Sequence, residues 1–139
     1  METPVFFDKK PADFDSALIL QFVGKNELVF VRNSKRKWEL TGGKREPGET
    51  LTQNVVRESF EESGAIVDEE SIQPLGYYQL PSGHITVIVT TQVKEFKEIP
   101  PETEIVERQI SAVPLAPELL SFHDNVYQDI FQHLGWGGY

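Results

Sequence analysis

The chain has 139 residues, 39% of them hydrophobic and 11% aromatic, which suffices for a packed core and suits one domain over residues 1–139. Its 22 acidic side chains outnumber 13 basic ones, and the net charge of -9 argues against nonspecific binding to nucleic acid or anionic membranes, though not against a phosphorylated small molecule bridged by metal ions. There is no cysteine, no signal-type apolar stretch and no run near the ~18 apolar residues of a membrane helix, so disulfides and cysteine zinc sites are excluded and a soluble cytoplasmic protein is expected.

In chain order, two apolar runs, Ala17 to Val23 and Leu28 to Val31, are broken by "GKNE" and predict a hairpin with a glycine turn. "WELTGG" predicts a short strand ending in glycines, and "KREPGE" a loop. Thr50 and Gln53 have capping-box spacing, so a helix should begin near Leu51, with Gly64 as its stop. "SIQPLGYYQL" and "HITVIVTTQVKEF" follow, and β-branched enrichment over Ile85 to Val93 marks the second as a strand. "PPETEIVERQISAVPLA" reads as a proline-opened loop, a strand and a turn. Val126, Ile130, Phe131 and Leu134 stand at helical spacing in "HDNVYQDIFQHL" and predict a C-terminal amphipathic helix, after which "GWGGY" forms a loose tail. Strands with two helices between them suit an α/β domain with a mixed sheet.

The helix predicted from Leu51 carries Glu58, Glu61 and Glu62 at i, i+3 and i+4, on one face. Val56 and Phe60 fall on roughly the opposite side, which is therefore the side expected to pack. Like charges at this spacing destabilise a helix, and the helix dipole disfavours anions near its C-terminus. Arg57 offsets only part of that charge. Carboxylates held together against these rules point to a functional site, and a divalent cation with a preference for oxygen ligands, such as Mg²⁺, Mn²⁺ or Ca²⁺, is the simplest missing partner. The alternative is a solvated acidic face.

Reading forward from Gly43, five residues lead to Glu49 and seven more to Arg57-Glu58. Two residues then precede Glu61-Glu62, and one precedes Gly64. This spacing resembles the Nudix box of the Nudix hydrolases, here Gly43 to Ala65, and Trp38 before "GG" also looks like the family. The resemblance implies an α/β/α sandwich with a mixed central sheet, and cleavage of a diphosphate linkage in a nucleotide with Mg²⁺ or Mn²⁺. It further implies that Glu58, Glu61 and Glu62 hold the metals and that Glu49 and Arg57 orient loop and helix through a salt bridge. Gly43 would free its backbone for the turn or offer a metal-binding carbonyl, and Gly64 would end the helix. By the same likeness the proton acceptor comes from the loop "PPETEIVE": Glu104 is the choice, Glu102 the alternative, Glu107 belongs to the following strand, and Glu58 takes the role if the loop does not. Thr41, Ser59 and Ala65 depart from the family's usual residues, in packing rather than in metal donors.

Trp38, Tyr77 and Tyr78 offer rings on which a base could stack, with Trp38 and Tyr78 as the substrate-binding candidates. His84, His123 and His133 lack "HExxH" spacing and read as surface or packing residues. The expected substrate is a nucleoside triphosphate, oxidised forms such as 8-oxo-dGTP included, released as monophosphate and pyrophosphate. Pro81, sixteen residues after Ala65, has a spacing associated with ADP-ribose hydrolases and keeps ADP-ribose or a nucleotide sugar as the alternative. A silent nucleotide-binding module is the other rival; a calcium-binding domain is disfavoured by the absence of "DxDxDG".

Overall fold

The computed structural model describes residues 3–112, 115–122 and 125–135. The "GKNE" turn joins β2 (Ser16–Val23) to β3 (Glu27–Asn33), with Gly24 at φ 66. "WELTGG" forms two strands rather than one: β4 (Trp38–Glu39) pairs with β3, and β5 (Thr41–Lys44) pairs with β2. The glycines lie inside β5 instead of ending it. Helix α1 (Leu51–Ser63) leads through Gly64 straight into β6 (Ala65–Gln79), so that strand starts six residues before "SIQPLGYYQL". Then come β7 (Ile85–Phe96), β8 (Ile105–Ser111), a 3₁₀ turn (Pro117–Leu119) and α2 (Asn125–His133). His123 and the tail from Trp136 lie outside the described residues.

A short strand β1 (Val5–Phe7) also pairs with β6, which the sequence reading did not contain. Three residues are too few to display a period of two, and their partner lies some 70 residues away in the chain.

The strands form one mixed eight-stranded sheet in the order β1-β6-β7-β2-β3-β4, with β5 on β2 and β8 on β3; β2 and β7 pair in parallel. Alternation along the strands feeds both faces. Leu20, Leu28, Phe30 and Ile88 pack under α2 with Val126, Ile130 and Phe131. The intervening Ala17, Ile19, Val87 and Val89 pack under α1 against Val55. Leu134 packs beside the α2 cluster, as its helical spacing implied. The result is helix, sheet, helix. Among the described residues no helix is long and apolar enough to cross a membrane.

Candidate active site

The boundaries of α1 are set locally. Thr50 accepts from Gln53 N–H at 3.1 Å, and the Gln53 side chain accepts from Thr50 N–H at 2.9 Å, which closes the capping box. Gly64 takes the left-handed conformation at φ 70, where a side chain is strained, and ends the helix. The last turn has no basic residue of its own. Arg108 of β8 supplies the charge instead, donating to the Ser63 carbonyl at 2.7 Å and the Lys97 carbonyl at 2.6 Å.

The face of α1 that packs is not the Val56/Phe60 side. Asn54, Val55, Glu58, Ser59 and Ser63 are the buried residues, Val56 is only half-buried, and Phe60 is 39% exposed. The stripe running from Leu51 through Val55 to Ser59 and Glu62 follows helical spacing and meets the sheet. The carboxylates therefore lie on and beside the packed face. Glu58 is buried, Glu62 half-buried, and Glu61 exposed.

Arg57 gathers this charge. It donates to both Glu49 oxygens at 2.6 and 3.0 Å, to Glu58 at 2.7 Å, to Glu61 at 3.0 Å and to the Lys44 carbonyl at 2.9 Å. These bonds hold the Glu49 carboxyl down at about 2 and raise the Arg57 guanidinium above its ordinary value. Burial pushes Glu58 up in spite of Arg57. Glu62 has no bond to that arginine: among the described residues it accepts from Gly42 N–H alone, at 3.0 Å, and burial drives its carboxyl to about 8, with Glu58 and Glu39 adding repulsion.

Two cavities meet at this helix. An acidic cleft of about 430 Å³ is lined by Glu58, Glu61, Glu62, Pro100, Glu102 and Thr103. A second cavity of about 320 Å³ includes Arg36, Glu39, Tyr78, His84 and Phe122. Glu62 lines both. Gly43 adjoins the carboxyl of Glu58 so closely that any side chain there would collide with it. Tyr78 lines the second cavity, and Trp38 does not: it packs against the core under α2, its carbonyl accepting from Ser121 N–H at 2.8 Å. In the acidic loop Glu102 lines the cleft, whereas Glu104 pairs with Lys35 at 3.1 Å, which lowers its carboxyl, and does not line it. Glu107 stands in β8, paired with Arg32 at 3.0 Å.

Sequence reasoning missed several residues of the second cavity. Arg36 donates twice to buried Glu39, at 3.1 and 2.9 Å, and lies over the Phe122 ring at 5.5 Å. His84, read as a surface or packing histidine, lines the cavity and shares a 2.8 Å hydrogen bond with Ser16. Only the i, i+3 spacing of Arg36 and Glu39 was visible beforehand. His133 stacks on Phe7, with ring centroids 3.9 Å apart.

The donor set suits a cation that prefers oxygen ligands. Every candidate offers oxygen, and a half-buried carboxyl as unfavourably charged as Glu62 gains from a positive partner. Among the described residues no three His, Cys, Asp or Glu are placed as a metal cage, and Arg57 bonds both Glu58 and Glu61.

A profile described as NUDIX domain matches residues 13–132. A search of curated proteins gives no match. Among solved structures, the Bacillus subtilis pyrophosphohydrolase BsRppH aligns with a TM-score of 0.80 at 20% identity over 99% of this chain and 92% of its own. A NUDIX hydrolase from Nitrosomonas europaea aligns at TM-score 0.64, 19% identity, 91% and 76% coverage. A bifunctional NMN adenylyltransferase/ADP ribose pyrophosphatase from Francisella tularensis, complexed with AMP and a Mn ion, aligns at TM-score 0.66 and 20% identity over 92% of this chain but 42% of its own. Likeness at these identities is likeness of fold.

Proposed function

The chain belongs to the NUDIX domain family, and from that premise we propose that it hydrolyses a diphosphate linkage in a nucleotide with Mg²⁺ or Mn²⁺ as cofactor. The observation that carries the reading is Glu62, which lies on the wall common to the acidic cleft and the second cavity. A diphosphate in the cleft would thereby continue into a nucleoside in the cavity.

Glu58, Glu61, Glu62 and the Gly43 carbonyl are the groups that would hold the cation. When bound, such an ion supplies neutralisation of phosphate charge and acidification of the attacking water. Arg57 and Glu49 orient the loop and helix through their two hydrogen bonds. Glu102, on the cleft wall, is the better-placed proton acceptor; Glu104 is engaged by Lys35. Tyr78, Phe122 and Arg36 offer two rings and a guanidinium to the nucleoside. Trp38, packed against the core under α2, is outside the lining of that cavity.

The substrate we favour is a nucleoside triphosphate, oxidised forms such as 8-oxo-dGTP included, cleaved to monophosphate and pyrophosphate. The alternative is ADP-ribose or a nucleotide sugar, supported by the position of Pro81 and by the name of the Francisella tularensis neighbour. A screen of both classes with Mg²⁺ or Mn²⁺ decides between them, read as pyrophosphate released from a triphosphate and as nucleoside monophosphate plus sugar phosphate released from ADP-ribose or a nucleotide sugar. Absence of turnover on every nucleotide, with binding retained, would make the protein a silent binding module.

A further inference from the structure

Gln21 stands on β2, outside the Gly43–Ala65 signature, and is fully buried. A carboxamide at that depth is costly unless all its polar atoms are partnered. Its Oε1 lies within hydrogen-bond distance of two hydroxyls, Thr41 at 3.2 Å and Ser63 at 3.1 Å, and Ser63 shares its one proton between Gln21 and the Ser59 carbonyl at 2.8 Å. Among the described residues its Nε2 has no hydrogen-bond partner, and neither do Ser59 Oγ or Asn54 Oδ1 on the buried face of α1. An apolar side chain in this seam would bring no unpaired amide of its own. A local rule broken in this way, beneath the acidic helix, marks a residue kept for function.

Thr41 immediately precedes Gly42, and Ser63 immediately follows Glu62. Gly42 N–H donates to Glu62 at 3.0 Å. One carboxamide oxygen thus grips the two residues that flank that bond. The ladder fixes β5 to β2, with Thr41 opposite Ile19. No such ladder fixes a helix to a sheet, and apolar packing is non-directional. Gln21 adds the direction: from the neighbouring strand β2 it ties the end of α1 to the glycine segment of β5.

We infer that Gln21 is a positioning residue that sets the separation between the Gly42–Gly43 segment of β5 and the carboxylate end of α1. That separation governs the oxygen donors of the cation site, so the functional consequence rests on the metal reading above, whereas the positioning itself does not.

The test uses Gln21→Leu, Thr41→Val and the conservative Thr41→Ser in the full chain. In metal-free protein, the Gly42 amide should exchange with solvent about tenfold faster in Gln21→Leu and Thr41→Val, while core amides of β2 and β7 keep their protection. With Mn²⁺ titrated, half-saturation should rise about tenfold and kcat fall about tenfold, with KM for nucleotide held within about twofold. Thr41→Ser, which keeps the hydroxyl, should behave as wild type. If Gln21→Leu does not fold, Thr41→Val carries the test, because it is isosteric and leaves the strand intact. Unchanged Gly42 exchange in the folded variants overturns the inference. So does acceleration spread equally over β2 and β7, which would make Gln21 ordinary packing. A wild type that turns over no nucleotide overturns the functional reading instead and leaves the exchange result to decide the positioning.

Discussion

Glu62 and Glu49 sit in one site with opposite electrostatics. Burial lifts the Glu62 carboxyl from 4.5 to about 8. Between those values the folded protein keeps a proton that the unfolded chain has released, so raising the pH favours unfolding. In EDTA, wild type should therefore lose melting temperature from pH 4.5 to about 8 relative to Glu62→Gln, which has no such proton. Parallel melting curves for the two proteins would remove Glu62 as a buried acid. Glu49 runs the other way: Arg57 depresses it to about 2, so its contribution is full above 4.5 and is lost as the pH falls toward 2. Glu49→Gln should cost about 2 kcal/mol at neutral pH by weakening a charge-assisted pair, as read by chemical denaturation. Glu102 and Glu104 are separated by a pH–rate profile at saturating metal. Glu102→Gln should lose kcat together with the acidic limb, and Glu104→Gln should keep both. The reverse result would return the base to Glu104.

At the scale of the element, α1 shows how a helix can be legible in its ends and illegible in its orientation. Capping box and left-handed glycine join residues three or four apart, so both could be read along the chain. The packed face could not. Val56 and Phe60 are apolar, yet the sheet covers Val55, Glu58 and Ser59. What decides this is the sheet, where Ala17, Ile19, Val87 and Val89 meet Val55, and the glycines of β5, where the absence of a side chain at Gly43 admits the Glu58 carboxyl. Val55→Ala should cost about 2 kcal/mol in lost burial and cavity, while Phe60→Ala should stay within about 0.5 kcal/mol. Equal losses in urea titrations would restore the Val56/Phe60 face.

Across the whole molecule, the sheet brings together residues far apart in sequence. Arg36 and Glu39 come from the β3–β4 region, Tyr78 from β6, His84 from the next turn, and Phe122 from the segment before α2. Together they wall the cavity that abuts the acidic cleft. A cation held between carboxylates on α1 and the glycine segment of β5 should stabilise the assembled molecule by mass action, about 2.7 kcal/mol at a hundredfold excess over Kd. Melting temperature should rise with Mn²⁺ and return with EDTA, and the gain should shrink in Glu62→Gln. No rise up to millimolar Mn²⁺ would count against the site.

The sequence by itself determined the hairpin, the caps of α1, the C-terminal helix and the seven-residue spacing pattern that carries the family resemblance. All of these depend on neighbours in the chain or on residue identity. Only the tertiary structure decided which carboxylates are buried, that Arg108 closes the C-terminus of α1, and that Gln21 lies beneath it. It also decided that Glu102 rather than Glu104 lines the cleft, that Trp38 packs away from the cavity while Tyr78 lines it, and that β1 exists. Each of these is set by contact between segments distant in sequence, often 40 residues apart or more. Desolvation, which makes Glu62 unlike Glu61 one residue before it, is a property of what covers a side chain, and no local pattern records that.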